Sequence, residues 1–289
     1  MKDINGHTRV CGVIGNPVEH TMSPVIHNNL AAATGDNLVY VPFHVENELV
    51  KEAVEGALGL NLLGMNVTVP HKSAVIPYLK EIDPLANNIG ACNTLVRVEG
   101  GFKGYNTDMP GLYRAMQKDG VSISGEDVIL LGAGGVARAV CMLLCDKGAA
   151  HVYILNRSME KAQKVCDEIN TLFGKELVSC LELSSYEELA GKKYLAIQAT
   201  RVGMHPNVEH AVIEDPAFYE MVHTAYDIVF NPLDTKFMQL ARTAGARSFN
   251  GLRMLLYQGV IAYELWTKQS IDDALSQSVY EKMLEAMNK

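Results

Sequence analysis

The stretch DVILLGAGGVARAV, Asp127 to Val140, decides the fold. It opens on an apolar run of strand length, and the glycine cluster that follows gives way to residues with helical spacing. A strand that turns tightly into a helix begins a βαβ unit of Rossmann type. Gly132, Ala133, Gly134, Gly135, Val136 and Ala137 fit G-x-G-x-x-A, the alanine variant of the dinucleotide fingerprint. Glycines there let the backbone turn and lie close to a pyrophosphate, whose charge meets the positive end of the helix.

The next strand, His151 to Leu155, runs into Asn156-Arg157-Ser158, with Lys161 one helical turn on. A site for NAD normally places Asp or Glu here to take the ribose 2′-hydroxyl. This chain has two cations and a hydroxyl instead, which suits a 2′-phosphate, so the expected cofactor is NADP. Further strands are expected at Tyr194 to Ala199 and Ala225 to Phe230, which extends the cofactor domain over 109–250.

Upstream, Val10 to Gly15 reads as a strand, followed by a helix from about Ser23. Ser23 has the side chain of an N-cap, Pro24 suits the first helical position, and Gly35 closes the helix. Strands at Val39 to Val45 and Gly64 to Val69 flank a helix from Glu46 to Leu58. Thr94 to Val98 and Phe102 to Tyr105, joined at Gly100-Gly101, form a hairpin that leads to a helix from Asp108. The last two helices, Leu252 to Lys268 and Ile271 to Met287, follow the βα series and are expected to return to the first domain. The chain is therefore read as α/β, with a discontinuous domain of 1–108 completed by 251–289.

A length of 289 residues accommodates two domains, and 48% hydrophobic with 20% charged residues describes globular protein. A net charge of −8 without a basic run argues against nucleic acid. Met1 to Thr8 is polar, and no apolar run approaches the ~20 residues of a membrane span, so a cytoplasmic protein is expected. The cysteines form no CxxC pair and the histidines no HExxH, so neither a disulfide framework nor a metal site is expected.

Nine separated blocks carry a resemblance: GNPVEHTMSPVIHN, NVTVPHK, GACNT, NTD, GAGG, NRS, ATRVGM, DIVFNPLDT and NGLRMLLYQG. In this order they resemble the shikimate dehydrogenase family across nearly the whole chain. The resemblance implies a substrate domain, a Rossmann-type NADP domain and C-terminal helices that return to the first. It implies reversible, NADPH-dependent reduction of 3-dehydroshikimate to shikimate, in aromatic amino-acid (chorismate) biosynthesis, by a monomer or homodimer. Lys72 and Asp108 match the family's catalytic pair, and Asn66, Thr68, Asn93 and Gln258 its substrate-binding positions. Thr21 and Ser23 stand where two serines commonly hold the substrate carboxylate, although Ser23 could serve only as a cap. Thr200, Gly203 and Ile228 match cofactor-lining positions, and Gly251 and Met254 share a helical spacing with Leu255 and Gln258 that could meet nicotinamide and substrate.

Chemistry agrees with the pair, because a ketone that receives hydride must also receive a proton, and Lys72 can supply it while Asp108 fixes its ammonium. The chain departs from the family pattern at Thr21 for serine, Phe230 for tyrosine and Gln198 for asparagine. The competing readings are a dual quinate/shikimate dehydrogenase and a non-catalytic metabolite-binding relative. Arg157 in place of an acid argues against strict NAD use, and the presence of both Lys72 and Asp108 argues against a mere sensor.

Overall fold

Short strands alternating with helices build two six-stranded sheets. They belong to two compact units, Met1–Gly111 with Leu255–Lys289, and Leu112–Met254. The structure, a computed structural model, describes residues 4–288; Met1 to Asp3, part of the polar start, and Lys289 lie outside the described residues.

The first unit begins with β1 (Arg9–Gly15), whose last five residues are buried. Then come α1 (Ser23–Thr34) and β2 (Leu38–His44). The segment expected as one helix from Glu46 divides into a 3₁₀ turn, Asn47–Leu49, and α2 (Val50–Gly59). β3 (Gly64–Val67), β4 (Glu81–Ile82), α3 (Pro84–Ile89), β5 (Thr94–Val98) and β6 (Gly101–Tyr105) follow, and α4 (Asp108–Lys118) begins in this unit and runs on into the second. The sheet order is β2-β1-β3-β5-β6-β4, with the β1 pairs parallel and the β5 pairs antiparallel. Ile14, Met65, Val67, Leu95 and Phe102 meet in its core.

Ser23 does not cap α1. Met22 occupies the cap position with αR backbone and no capping bond, and Ser23 is the first helical residue. Its hydroxyl accepts instead from the Thr21 hydroxyl at 3.2 Å. The expected Gly35 closure is present, at φ 79°.

The second unit holds β7 (Asp127–Leu131), α5 (Gly135–Asp146), β8 (His151–Asn156), α6 (Met159–Phe173), β9 (Val178–Glu182) and β10 (Tyr194–Gln198). α7 (Pro216–Glu220), β11 (Val222–Asp227), α8 (Lys236–Thr243) and β12 (Arg247–Phe249) complete it. All its strand pairs are parallel, in the order β12-β11-β10-β7-β8-β9. Numbered from β7, that is the doubly wound order 3-2-1-4-5-6 read from β9. β11 lies three residues ahead of its expected span. The Asp227 carboxylate accepts the backbone N–H of Val229 at 2.9 Å and turns the chain out of the ladder, leaving Ile228 to Phe230 beyond the strand.

α9 (Leu252–Thr267) and α10 (Asp273–Met287) end the chain. α10 packs on α1, and the Trp266 indole in α9 donates to the Leu95 carbonyl at 2.9 Å. A Cβ on Gly64 would stand 2.1 Å from Trp266 Nε1, so a side chain at 64 and this bond cannot coexist. Gly64→Ala should therefore lower stability by about 1–3 kcal/mol, the usual cost of overpacking, read as a lower urea midpoint. An unchanged midpoint would refute the packing argument.

Candidate active site

The turn after β3 sets up the first group. His71 is buried, its Nε2 donates to the Val45 carbonyl at 2.7 Å, and the Lys72 carbonyl accepts from Cys92 N at 2.8 Å. The backbone on both sides of the lysine side chain is thus fixed. Lys72 Nζ lies 2.6 Å from Asp108 Oδ2, with the two side chains 29% and 18% exposed. That exposure leaves the pair within reach of a ligand or water. His71 is spent as an anchor and is not a candidate acid.

Asp108 opens α4, where the Asn106 side-chain oxygen accepts the N–H groups of Asp108 and Met109 at 3.1 and 3.4 Å. Its Oδ1 accepts from Asn93 Nδ2 at 2.9 Å. Asn93 Oδ1 in turn accepts from Thr107 N at 2.7 Å and from the Thr94 hydroxyl at 3.1 Å. Asn66 Nδ2 donates to the Asn93 carbonyl at 3.1 Å and the Thr94 hydroxyl at 3.0 Å. A carbonyl can only accept, so this nitrogen is identified by its partner. Asn66 Oδ1 then accepts from the Tyr40 hydroxyl at 2.7 Å.

These bonds fix what each amide can offer a ligand. Both N–H hydrogens of Asn66 are spent, so toward a ligand it can only accept. Asn93 keeps one N–H and can donate. Tyr40 stays protonated, because burial holds its phenol well above the ordinary range, and its ring stacks on His27 at 4.2 Å. Burial pushes His27 down to about 3, so its imidazole is neutral.

Thr21 and Ser23 lie side by side at the start of α1. Thr68 is half-buried at the end of β3, and its methyl occupies the space that a Cβ on Gly15 would need, at 2.4 Å. Gln258 is buried in α9 and donates to the Leu255 carbonyl at 2.9 Å. Gly111 admits it, since a Cβ there would meet Gln258 N at 2.6 Å.

In the second unit Gly132 has φ +113°, and its Cβ would stand 2.8 Å from the Thr200 methyl. Fold geometry therefore demands glycine. Gly134 and Gly135 differ, because a Cβ on either meets no protein atom within 4 Å. Their lack of side chains leaves open space over an α5 N-terminus that no side chain caps, which fits a pyrophosphate. Ala133 is half-buried, Val136 is exposed and Ala137 is packed beneath.

Asn156 Nδ2 donates to the Ser158 carbonyl at 2.8 Å, which orders the turn into α6. Ser158 is the N-cap of α6 but makes no capping bond, so its hydroxyl is free for a ligand. Arg157 and Lys161 are exposed, and among the described residues neither has an ion-pair partner. This grouping fits the 2′-phosphate of NADP. Gly251 lies one residue ahead of α9 rather than inside it, tight against Ile228, whose carbonyl oxygen would be 2.1 Å from a Cβ. Met254 is half-buried in the first turn of α9. Gly203, at φ +82°, is buried near Thr235.

Sequence reasoning missed Tyr40, Thr94, Asn106 and Thr107, which touch no predicted ligand but orient those that would. Thr94, Asn106 and Thr107 lie within the GACNT and NTD blocks; Tyr40 has only its inward position on a strand as a signal. Among the described residues no cluster of three His, Cys, Asp or Glu could hold a metal, and no helix is long and apolar enough to cross a membrane.

Three family models match the chain. The shikimate dehydrogenase substrate binding domain covers residues 13–95, shikimate / quinate 5-dehydrogenase covers 114–220, and the shikimate 5′-dehydrogenase C-terminal domain covers 251–275. The chain is 43% identical to the shikimate dehydrogenase (NADP(+)) of Desulforamulus reducens over 272 residues, 91% of each chain. A crystal structure of shikimate dehydrogenase in complex with NADP+ matches with a TM-score of 0.91 at 35% identity, covering 99% of this chain and 98% of the other. Shikimate 5-dehydrogenase from Listeria monocytogenes, solved with shikimate and NAD, matches with a TM-score of 0.87 at 30% identity over 99% of each.

The two kinds of glycine make a test. Gly134→Ala should leave thermal stability almost unchanged, within about 0.5 kcal/mol, since the added methyl meets open space. It should weaken binding of NADPH by roughly tenfold, because the backbone can no longer lie against the pyrophosphate. Titration of NADPH fluorescence reads the second effect, and undiminished affinity would remove Gly134 from the site.

Proposed function

The chain belongs to the shikimate dehydrogenase family, and on that premise we propose that its two units divide one reaction, substrate on the first and cofactor on the second. It is an NADP-dependent oxidoreductase of aromatic amino-acid biosynthesis that interconverts 3-dehydroshikimate and shikimate. The observation that carries the mechanistic reading is Lys72 Nζ at 2.6 Å from one Asp108 oxygen while Asn93 holds the other at 2.9 Å.

NADP, when bound, supplies the hydride or takes it up. Lys72 delivers a proton to the substrate oxygen as the ketone is reduced, and removes it in the reverse direction. Asp108 holds the ammonium in place and keeps a lone pair on each oxygen for a substrate hydroxyl. Asn93 donates its remaining N–H to substrate, and Asn66 accepts through Oδ1. Thr68 and Gln258 complete the polar lining. Thr21 and Ser23 turn their hydroxyls from each other to the ring carboxylate. Gly132, Ala133, Gly134, Gly135, Val136 and Ala137 form the pyrophosphate turn, and Asn156, Arg157, Ser158 and Lys161 hold the 2′-phosphate. Thr200, Gly203, Ile228, Gly251 and Met254 take the nicotinamide end. The intact Lys72–Asp108 pair supports catalysis over a sensing role. The enzyme is cytoplasmic and works as a monomer or homodimer, which sedimentation at assay concentration distinguishes.

Lys72→Ala should lower kcat for shikimate oxidation by roughly 10²–10⁴-fold, the range for losing a general acid or base, with a smaller change in KM. A folded variant with near-normal kcat would sink the role. Arg157→Ala should raise the KM for NADP+ by about tenfold to hundredfold through loss of a charge-assisted contact, and leave shikimate KM alone. Equal efficiency of the unsubstituted enzyme with NAD+ and NADP+ would defeat the 2′-phosphate assignment.

A further inference from the structure

Asp227, at the carboxyl end of β11, is fully buried. Its Oδ2 accepts from Thr235 Oγ1 at 2.6 Å and Gln198 Nε2 at 2.9 Å, and its Oδ1 from Val229 N at 2.9 Å. Among the described residues no Lys, Arg or His side chain faces it. Gln198, at the end of β10, also donates from Nε2 to the Val202 carbonyl at 3.1 Å, while its Oε1 is buried without a hydrogen-bond partner. The reversed amide would set oxygen against the carboxylate, so the anion dictates the orientation and leaves the oxygen orphaned. One carboxylate thus ties together the loops that follow β10 and β11, and Gly251 N is joined to the second of them at the Val229 carbonyl, 2.9 Å.

The strand order assigns these loops to one half of the cofactor. In a doubly wound sheet each half binds one mononucleotide. The β8 side carries Arg157, so β10 and β11 serve the nicotinamide. We propose that Asp227 is a positioning residue that fixes the nicotinamide loops and, as an anion without a paired cation, favours the positively charged oxidised ring over the neutral reduced one. This rests on the cofactor assignment made above and adds a reason for the two redox forms to bind unequally. A protein that favours NADP+ makes its bound NADPH the stronger hydride donor. Burial raises the carboxyl to about 6, offset in part by the Thr235, Val229 and Gln198 bonds, so it is ionised in a neutral or mildly alkaline assay.

Two variants remove the net charge by different chemistry. Asp227→Asn neutralises the carboxylate, and Gln198 can then turn its orphaned oxygen toward the new amide. Gln198→Lys leaves the carboxylate but pairs it, since both acceptors that Gln198 Nε2 serves suit an ammonium. Dissociation constants for NADP+, NADPH and adenosine 2′,5′-bisphosphate, measured by calorimetry near pH 8, test the proposal. In both variants the ratio of the NADP+ to the NADPH constant should rise by about tenfold, or about 1.4 kcal/mol, with the adenosine bisphosphate unchanged. An unchanged ratio in either folded variant overturns it, and Gln198→Lys decides alone if Asp227→Asn does not fold. Failure of the unsubstituted protein to bind either dinucleotide would instead sink the cofactor assignment, and this proposal with it.

Discussion

Asn93 is bonded through every polar atom it has, with a single amide hydrogen left over. Its backbone N–H goes to Tyr105, and its carbonyl accepts from Val67 N and Asn66 Nδ2. Its side chain binds Thr107, Thr94 and Asp108. The end of β3, the start of β5, the end of β6 and the start of α4 therefore meet at one residue. Nearly everything proposed for the substrate side follows from this junction. It places Asp108 opposite Lys72, and the neighbouring Cys92 N–H holds the turn that carries Lys72. A buried amide with an unmet donor costs about 1–3 kcal/mol, so the network tolerates few other arrangements.

Glycine serves opposite purposes on the cofactor side. At Gly132 and Gly251 neighbouring protein atoms exclude a side chain, whereas at Gly134 and Gly135 nothing in the chain does. Backbone geometry explains the first kind without any ligand. The second kind is not required by the packing, and it leaves room for a molecule that approaches the main chain. Open space alone does not mark a site, since Gly56 and Gly59 in α2 are equally open; its place between a strand end and an uncapped helix N-terminus is what fits a pyrophosphate.

The parts legible in sequence are those whose cause is local. β7 with its glycine turn and α5 declare themselves by period and by breakers, as do the β5–β6 hairpin and the Gly35 closure. β9 and β12 do not, because VSCLE and RSF are short, half-exposed edge strands without an apolar run. The end of β11 departs from its expected place because apolar Ile228 to Phe230 continue the pattern, while the interruption comes from a side chain bonding two residues ahead. Ser23 misleads for a related reason: a hydroxyl before proline looks like a cap, but Thr21, two residues earlier, engages it. Tyr40 reaches Asn66 across 26 positions of sequence, a distance at which no window of residues carries a signal.

The two acidic groups that matter most are solvated in contrasting ways, and the contrast follows from their tasks. Asp108 keeps some exposure and a cationic partner. A group that helps move a proton must see ligand or water, and the lysine it holds must be reprotonated after each turnover. Asp227 has neither exposure nor a cation, only three neutral donors. Such burial is costly for a carboxylate, and an amide, toward which Gln198 can turn, could serve the same neighbours without a charge. A staple alone therefore does not account for the charge. What a carboxylate adds over a neutral acceptor is a field, and a field matters only where charge changes during the reaction. On the cofactor placement proposed for this half of the sheet, the group whose charge changes is the nicotinamide ring.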